Sequence, residues 1–420
     1  MKETKLSTVI DVISMGPFGS DIKVDNFISQ GIPVLNGSNL TSHKLVENSF
    51  KYVSLEKANK LGKANAFRGD IIITHRGTLG QVAYIPQNSK YERYVISQSQ
   101  FRVRFNDDLD PVYFSYLMKS EYGQKKLLSF KSHVGVPALA QATSNFKRLE
   151  LKLHNNIDQK KIAAVLSALD DKIELNNQIN TELEAMAKTL YDYWFVQFDF
   201  PDENGKPYQS SGGKMVFNGT LKREIPVGWE VKKLSAFAKT GSGGTPKSTV
   251  KEYYENGQIP WINSGELNQP FIVKTENFIS EIGLKNSSAK LFPKQTILMA
   301  MYGATAGKTS IISFEATTNQ AICAVMPLDK IMFYYTKHVL DDMYKYLINL
   351  STGSARDNLS QDKIRNLDIV IPSEELSRKF CKIVTPFFRK IEINLQENQE
   401  LAQLRDWLLP ILMNGQVSVK

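Results

Sequence analysis

The two halves of this chain repeat one another, and an internal repeat favours two similar folded units over one continuous core. Residues 32–40 recur at 259–267 with the shared pattern Ile-Pro-x-[Leu/Ile]-Asn. The strongest match joins residues 172–183 to residues 390–401, where eight residues are identical at fixed spacing. Each half is therefore organised as a module followed by a second, repeated segment.

The modules and the segments that follow them differ in pattern. Residues 1–155 and 222–372 mix β-branched runs with Gly and Asn turns, which predicts two α+β modules. Residues 156–197 and 373–415 carry apolar side chains spaced by three and four, which predicts two long helices. Residues 198–221 are rich in Gly, Ser, Asp, Lys and Pro and predict a flexible linker. Such a linker would let the chain reverse, so we expect antiparallel helices and an internal pseudo-twofold repeat.

The spacing within the two helical segments is the seam pattern of a coiled coil. A helix of about 40 residues would extend roughly 60 Å. Asparagines interrupt both seams, and paired seam asparagines fix helix register at some cost in stability. The alternative is that these asparagines face solvent. Pro386 either kinks the second helix or marks its start. The residues expected to pair are Ile173, Asn176, Asn180 and Leu183 with Ile391, Asn394, Asn398 and Leu401, and the apolar steps also include Met186, Ile383 and Leu404.

Positive charge is concentrated in the modules. Lys and Arg outnumber Asp and Glu by 21 to 13 in residues 1–155 and by 18 to 14 in residues 215–372. In residues 156–214 the acidic residues lead by 10 to 6. Basic modules joined by an acidic spacer are expected if the modules contact nucleic-acid phosphates and the spacer does not. The net charge of +9 suits a polyanionic partner, although ordinary basic proteins also reach it.

The sequence offers little support for several other functions. Cys323 and Cys381 both lie in apolar surroundings, which argues against a disulfide framework. The five histidines are scattered without metal-ligand spacing. The first residues and the apolar runs predict neither a signal peptide nor a membrane span, so we expect a cytoplasmic protein. No short catalytic signature is present, although an enzyme with another kind of active site stays an alternative.

One segment resembles a phosphate-binding P-loop. Residues 303–309 end in Gly-Lys-Thr, but Tyr302 stands where that loop needs glycine, and the repeat has Gln81 in place of Lys308. We therefore expect a glycine turn between two strands.

DNA contacts require particular side chains on exposed loops. Asn, Gln, Arg, Lys and Ser read base edges, while Lys, Arg and backbone amides hold phosphates. For each candidate, an ordinary solvated role is the alternative. Gln98 and Gln320 occupy matching places in apolar runs, where we expect them to satisfy buried backbone groups. The candidates are Lys23, Arg76, Arg102, Arg104, Lys131, Ser132 and His133 in the first module and Lys247, Tyr302, Lys308, Arg356 and Asn358 in the second.

Together these motifs carry a family resemblance that spans nearly the whole chain. The Ile-Pro-x-[Leu/Ile]-Asn repeat, the Gly-x-x-Gly turns and the Lys-Ile-Glu-x-Asn helices resemble the specificity subunit of Type I restriction-modification systems. The second half matches best, with Ile225-Pro226-Val227-Gly228-Trp229-Glu230, then Gly243-Gly244-Thr245-Pro246 and Gly257-Gln258-Ile259-Pro260-Trp261-Ile262. The first half lacks the Pro-x-Gly-Trp opener and has Gly16-Pro17-Phe18-Gly19-Ser20 in place of Gly-Gly-Thr-Pro.

The resemblance implies a function without a catalytic centre in this chain. It implies two target-recognition domains that each read one half of a split double-stranded DNA site, with the helices acting as a ruler between them. It also implies two methyltransferase subunits and restriction subunits as partners, forming a DNA methyltransferase and Type I site-specific deoxyribonuclease complex. S-adenosylmethionine, ATP and Mg²⁺ would bind those partners rather than this chain. The alternatives are a structural coiled-coil adaptor and a nucleic-acid enzyme with an unrecognised active site.

Overall fold

The contacts of the chain divide it into two units, Met1–Lys172 with Glu400–Lys420 and Ile173–Gln399. Each unit contains one module and part of each long helix. Among the helices of the described residues, none has both the length and the apolar character that a membrane span requires. The computed structural model describes residues 1–19, 21–132, 136–302, 305–344 and 359–419.

The module of the first unit is built on one antiparallel sheet and one mixed sheet. Its strands are β1 (Lys2–Lys5), β2 (Ile10–Met15), β3 (Phe27–Ile28), β4 (Ile32–Val34), β5 (Lys51–Val53), β6 (Asn65–Phe67), β7 (Ile71–Thr74), β8 (Val82–Tyr84), β9 (Arg93–Val95), β10 (Gln100–Phe105), β11 (Lys131–Ser132), β12 (Ala138–Leu139) and β13 (Glu150–Leu153). Its helices are α1 (Leu55–Lys60), α2 (Pro111–Lys119), α3 (Glu121–Leu128) and α4 (Ala142–Arg148). The sheets have the orders β2-β10-β7-β8 and β3-β5-β4-β9-β6. Strand β1 pairs with β13, so the two ends of the module meet.

The second unit repeats this plan. Its strands are β14 (Met215–Asn218), β15 (Arg223–Pro226), β16 (Glu230–Lys233), β17 (Ala238–Ser242), β18 (Ile259–Ile262), β19 (Phe271–Ile272), β20 (Phe278–Ile279), β21 (Ile297–Ala300), β22 (Thr309–Ile312), β23 (Thr317–Thr318), β24 (Ile322–Pro327) and β25 (Asp368–Ile371). Its short helices are α6 (Glu281–Lys285), α7 (Phe333–Asp342) and α8 (Gln361–Arg365).

The sheet topology shows which strands of the two modules correspond. The order β17-β24-β21-β22-β19 repeats β2-β10-β7-β8 with β19 added at one edge. The order β20-β18-β23 repeats β5-β4-β9, and in both modules the last pair is parallel. Strand β16 pairs with β25 as β1 pairs with β13. The prediction of two similar α+β modules is therefore confirmed.

The central strand of each module is buried on both faces. Alternate side chains of a strand point to opposite faces of the sheet. In β7, Ile71 and Ile73 pack into one apolar core and Ile72 into another. In β21, Met299 and Leu298 enter different cores in the same way. This double burial explains why both strands appear in the sequence as continuous apolar runs.

The two long helices are α5 (Asn156–Tyr191), which continues into a π-helical turn (Asp192–Val196), and α9 (Glu374–Met413). In the second unit, Asn176 Nδ2 donates to Asn398 Oδ1 at 2.9 Å, and Asn394 Nδ2 donates to Asn180 Oδ1 at 2.8 Å. Residue numbers rise along one helix as they fall along the other, so the helices run antiparallel, as predicted. In the first unit, Arg405 of α9 binds Asp170 of α5.

Two details of the predicted helices differ from the structure. Helix α9 begins at Glu374, so Pro386 does not mark its start. Met186, Ile383 and Leu404 are 53%, 41% and 44% exposed and do not belong to the buried seam. A spacing of three and four selects one face of a helix, but neighbouring positions on the edge of that face stay open to solvent.

The segment predicted as a flexible linker is folded, so that prediction is wrong. The buried Asp199 carboxylate accepts hydrogen bonds from the backbone N–H and the hydroxyl of Ser210, at 2.7 and 2.5 Å. The ring of Phe200 stacks between those of Tyr208 and Trp229, with centroids 4.6 and 5.2 Å away. Strands β14 and β15 then form a hairpin. The Gly and Ser residues of 198–221 therefore form turns of a folded segment instead of a flexible linker.

Candidate nucleic-acid interface

Four segments of the first module meet beyond the ends of β2, β7 and β10. The Gly16 N–H donates to the Gln100 carbonyl at 2.8 Å, which holds the glycine loop against the turn that precedes β10. The His75 N–H donates to the Ser99 carbonyl at 2.9 Å, and His75 Nε2 lies 3.1 Å from the Gln98 carbonyl. We call this surface face 1; it comprises residues 16–19, 75–80 and 97–99 and the hairpin strands β11 and β12.

The hairpin is joined to the His75 loop by backbone hydrogen bonds. The Leu139 N–H donates to the His75 carbonyl at 2.8 Å, and the Gly77 N–H donates to the Pro137 carbonyl at 2.9 Å. Gly77 has a φ of 92°, a conformation that glycine adopts at little cost. Burial lowers the pKa of His75, so its ring is neutral near pH 7 and positions the loop by hydrogen bonding rather than by charge.

The structure places the candidate residues of the first module in several positions. Arg76 and Lys131 are exposed on face 1, and Ser132 beside Lys131 is half-buried. Lys23 is exposed on a turn after the glycine loop, where its backbone N–H donates to Asn26 Oδ1 at 3.0 Å. His133 lies outside the described residues. Contact of these residues with DNA stays a prediction.

Arg102 and Arg104 lie on β10 and bind a carboxylate. Arg102 Nη1 and Arg104 Nε lie 2.7 Å from the two oxygens of Asp70, whose side chain is fully buried. A buried carboxylate that loses its partners is strongly destabilising. The two arginines therefore have a structural role in this module, and their proposed DNA contact stays a prediction.

The second module builds an equivalent surface, which we call face 2; it comprises residues 243–247, 263–268, 305–308 and 319–320 with Tyr302. The Gly244 N–H donates to the Thr318 carbonyl at 2.9 Å, and Trp261 Nε1 donates to the Gly244 carbonyl at 3.0 Å. A Cβ at Gly243 would lie 2.0 Å from the Thr318 carbonyl oxygen. Because no side chain can approach a backbone oxygen so closely, only glycine fits there.

The described candidate residues of the second module, Lys247, Tyr302 and Lys308, lie on or beside face 2. Lys247 is exposed on the glycine loop. Lys308 is exposed in the turn between β21 and β22, with Nζ 3.5 Å from Asn268 Oδ1. This turn is the segment that resembles a P-loop, of which Gly303 and Ala304 lie outside the described residues. Tyr302 is half-buried against the core. Arg356 and Asn358 lie outside the described residues.

The prediction that Gln98 and Gln320 satisfy buried backbone groups is wrong. Both side chains are exposed in turns, Gln98 between β9 and β10 and Gln320 between β23 and β24. The nearby Gln100 is the buried residue, and its Oε1 accepts from the Ser97 N–H at 3.0 Å. The two faces therefore share an exposed glutamine that composition and periodicity did not assign to the interface. Its equal position in both repeats was the signal that could have found it.

The residues predicted to pair the helices are distributed between seam and edge. Asn176 and Asn394 are fully buried, Asn180 is 5% exposed, and Ile391 belongs to the core of the second unit. Ile173, Leu183, Asn398 and Leu401 are half-buried. The seam asparagines thus bond across the helix pair instead of facing solvent.

Over the described part of the chain, no cluster of three or more His, Cys, Asp or Glu residues could hold a metal ion. Cys323 is buried, which raises the pKa of its thiol to about 12, and it is not in a disulfide.

Comparison with known proteins gives consistent matches along the whole chain. The family described as Type I restriction modification DNA specificity domain matches residues 7–185 and 226–403. The specificity subunit of Type I restriction enzyme MjaIX from Methanocaldococcus jannaschii is 28% identical over 411 residues, covering 95% of this chain and 89% of that protein. The HindI specificity subunit from Haemophilus influenzae is 28% identical over 429 residues, covering 89% and 92%. The crystal structure of an S subunit from M. genitalium matches with a TM-score of 0.61 at 17% identity, covering 98% and 95%, and shares the fold.

Proposed function

This chain belongs to the Type I restriction-modification DNA specificity family, and we propose that its two modules each read one half of a split double-stranded DNA site. The family matches twice, once over each module and the helix that follows it. A protein with two readers recognises two half-sites whose separation mirrors its own geometry.

The observation that carries this proposal is the equivalence of face 1 and face 2. Each face is formed by a glycine loop, a turn that carries an exposed glutamine and a loop at the end of the central strand. Exposed cations differ between them: Arg76 and Lys131 lie on face 1, and Lys247 and Lys308 lie on face 2. Cations supply affinity for the phosphates, and differing side chains on equal scaffolds allow two different half-sites to be read.

The helix pair supports a role in spacing. The bonded asparagines tie α5 to α9 at fixed positions, because a shift of one helix along the other would leave buried amides without partners. We propose that the length of α5 and α9 sets the number of base pairs between the half-sites.

We further propose that the chemistry belongs to partner subunits. The long helices carry exposed apolar side chains such as Leu175, Ile393 and Trp407, which are 49%, 47% and 63% exposed. Exposed apolar side chains give such subunits a surface to bind. Two methyltransferase subunits that use S-adenosylmethionine, and restriction subunits that use ATP and Mg²⁺, would complete the complex. This chain would contribute recognition and assembly.

The test is to express the chain with its modification subunits in cells that lack other methyltransferases and to map the methylated bases. We expect one motif with two defined halves and a spacer of fixed length. Methylation without sequence preference would contradict the proposal. Binding of the purified complex to duplex DNA should also weaken as salt rises, whereas the absence of salt-dependent binding would favour a coiled-coil adaptor.

A further inference from the structure

The exposed glutamines of the two faces are held by the glycine loops. On face 2 the Thr245 hydroxyl donates a hydrogen bond to Gln320 Oε1. On face 1 the amide of Gln98 packs against Gly19, where an added Cβ would lie 2.4 Å from Gln98 Oε1. In each module a strand residue beside this turn, Gln100 or Thr318, accepts a backbone hydrogen bond from the glycine loop. These side chains are therefore positioned, although they are open to solvent.

The way Gln320 is held indicates what it can bind. Because its amide oxygen accepts from Thr245, the group best placed for a ligand is the Nε2 amide, which is a donor. A glutamine that recognises adenine uses both its oxygen and its nitrogen on the base edge. A donor alone suits an acceptor such as a phosphate oxygen, and hydrogen bonds to phosphate fix register without reading sequence.

The repeat indicates the same ligand. The glutamine is common to both faces, whereas the exposed cations around it are not. A contact that is common to two readers is best made with the part of DNA that all sequences share. Positive charge near each glutamine also favours a phosphate as the ligand. On face 1, Arg76 follows His75, whose ring contacts the Gln98 carbonyl. On face 2, Lys247 lies on the same loop as Thr245.

We propose that Gln98 and Gln320 anchor the two modules to phosphates of the DNA backbone, one in each half-site. This rests on the proposed reading of a split site. Each glutamine donates from Nε2 to a phosphate oxygen and so sets the depth and register at which the variable side chains meet the bases.

The experiment uses the complete complex with its modification subunits. The ligand is a synthetic duplex that carries the sequence methylated in wild-type cells, and a duplex with both half-sites scrambled serves as reference. Gln98→Ala and Gln320→Ala should each weaken binding to the specific duplex about three- to tenfold, the usual effect of one neutral hydrogen bond. The motif mapped in cells should be unchanged, and Thr245→Val should weaken binding to a smaller extent.

Salt dependence separates this contact from those of the cations. Because glutamine is neutral, its contact with a phosphate releases no counterion on binding. Its replacement should therefore shift the plot of log affinity against log salt without a change in slope. Lys247→Ala should reduce that slope by about one. The exposed Gln30 and Gln258, which stand just before β4 and β18, give matched control variants Gln30→Ala and Gln258→Ala that should bind as wild type.

The outcomes are distinct. Uniform weakening with an unchanged motif supports the anchor. A change of one base in the motif would make the glutamine a base reader and overturn the proposal, as would wild-type affinity of both variants. If the wild-type complex itself failed to prefer the specific duplex, the proposed function would fail, independently of the glutamines.

Discussion

The two modules meet their long helices through different chemistry at equivalent positions. The offset that matches 172–183 with 390–401 also matches Asp170 with Phe388, and a tyrosine of the module contacts each of these helix residues. In the first unit the Tyr116 hydroxyl donates to Asp170 Oδ2 at 2.6 Å. In the second unit the ring of Tyr334 stacks on that of Phe388, with centroids 4.5 Å apart. A repeated scaffold has thus kept the place of a contact while its physical basis changed.

The residues around these two contacts differ in the same way, because they are polar in the first unit and apolar in the second. Arg405 Nη1 binds Asp170 Oδ1 at 2.6 Å, and the buried His43 lies 3.3 Å from Asp170 Oδ2 and stacks on Tyr116. The position that corresponds to Arg405 in the second unit is Ala187, which is fully buried in the apolar core. The polar junction depends on each of its members, whereas the apolar one depends on volume.

The largest expected effect concerns the apolar junction. Phe388 is 3% exposed, so Phe388→Ala should leave a cavity and lower the free energy of unfolding by about 4 kcal/mol. Phe388→Leu should cost about 1 kcal/mol, because most of the volume is kept. Urea denaturation of the full chain measures both. Equal losses for the two variants would show that packing volume does not govern this junction.

The polar junction should respond to charge rather than volume. Asp170→Ala removes the acceptor of the Tyr116 hydroxyl and of Arg405 Nη1, which leaves Arg405 only its exposed partner Asp406, and should cost about 3 kcal/mol. The double change Asp170→Phe with Arg405→Ala, which copies the second unit, should recover much of that loss. The control is Asp171→Ala, whose exposed carboxylate lies 3.9 Å from Lys44 Nζ. That carboxylate should contribute less than about 1 kcal/mol. If the double variant did not regain free energy of unfolding relative to Asp170→Ala, the two junctions would not be equivalent.

Acid should destabilise both units through buried histidines. Burial lowers the pKa of His43 and of His338 from 6.5 to about 4. Between these values the unfolded chain binds more protons, so stability that is complete above pH 6.5 should fall as the pH drops toward 4, by an amount on the order of 2 kcal/mol for each histidine. Denaturation at several pH values measures this slope. His338→Phe should reduce the dependence of stability on pH, because phenylalanine does not titrate. The replacement breaks no hydrogen bond of Nε2, which has no partner among the described residues. An unchanged pH dependence would show that His338 does not cause the acid sensitivity.

The seam asparagines should show coupling of about 1 kcal/mol. Asn394→Leu alone leaves Asn180 without its partner and should destabilise the chain, whereas Asn180→Leu with Asn394→Leu should be neutral or stabilising. A double-mutant cycle gives the coupling energy. Additive effects would mean that the amide pair in the seam does not act as a unit.

The repeat made the modules and the long helices predictable, because identities at fixed spacing and apolar steps of three and four survive in a single sequence. Contacts between distant residues were not predictable. Asp70 bonds to Arg102 and Arg104, and Phe200 stacks on Trp229, yet no local pattern announces either contact. The prediction that Gln98 and Gln320 are buried fails because both lie in turns between strands, and only the turn geometry shows that they are exposed.

We propose that the two modules read DNA independently of each other and share one helix pair. The most direct test of this proposal replaces residues 222–372 with the corresponding module of another family member, followed by mapping of methylated bases in cells that carry the modification subunits. We expect one half of the motif to change while the other half and the spacer stay the same. A change in both halves would contradict this proposal.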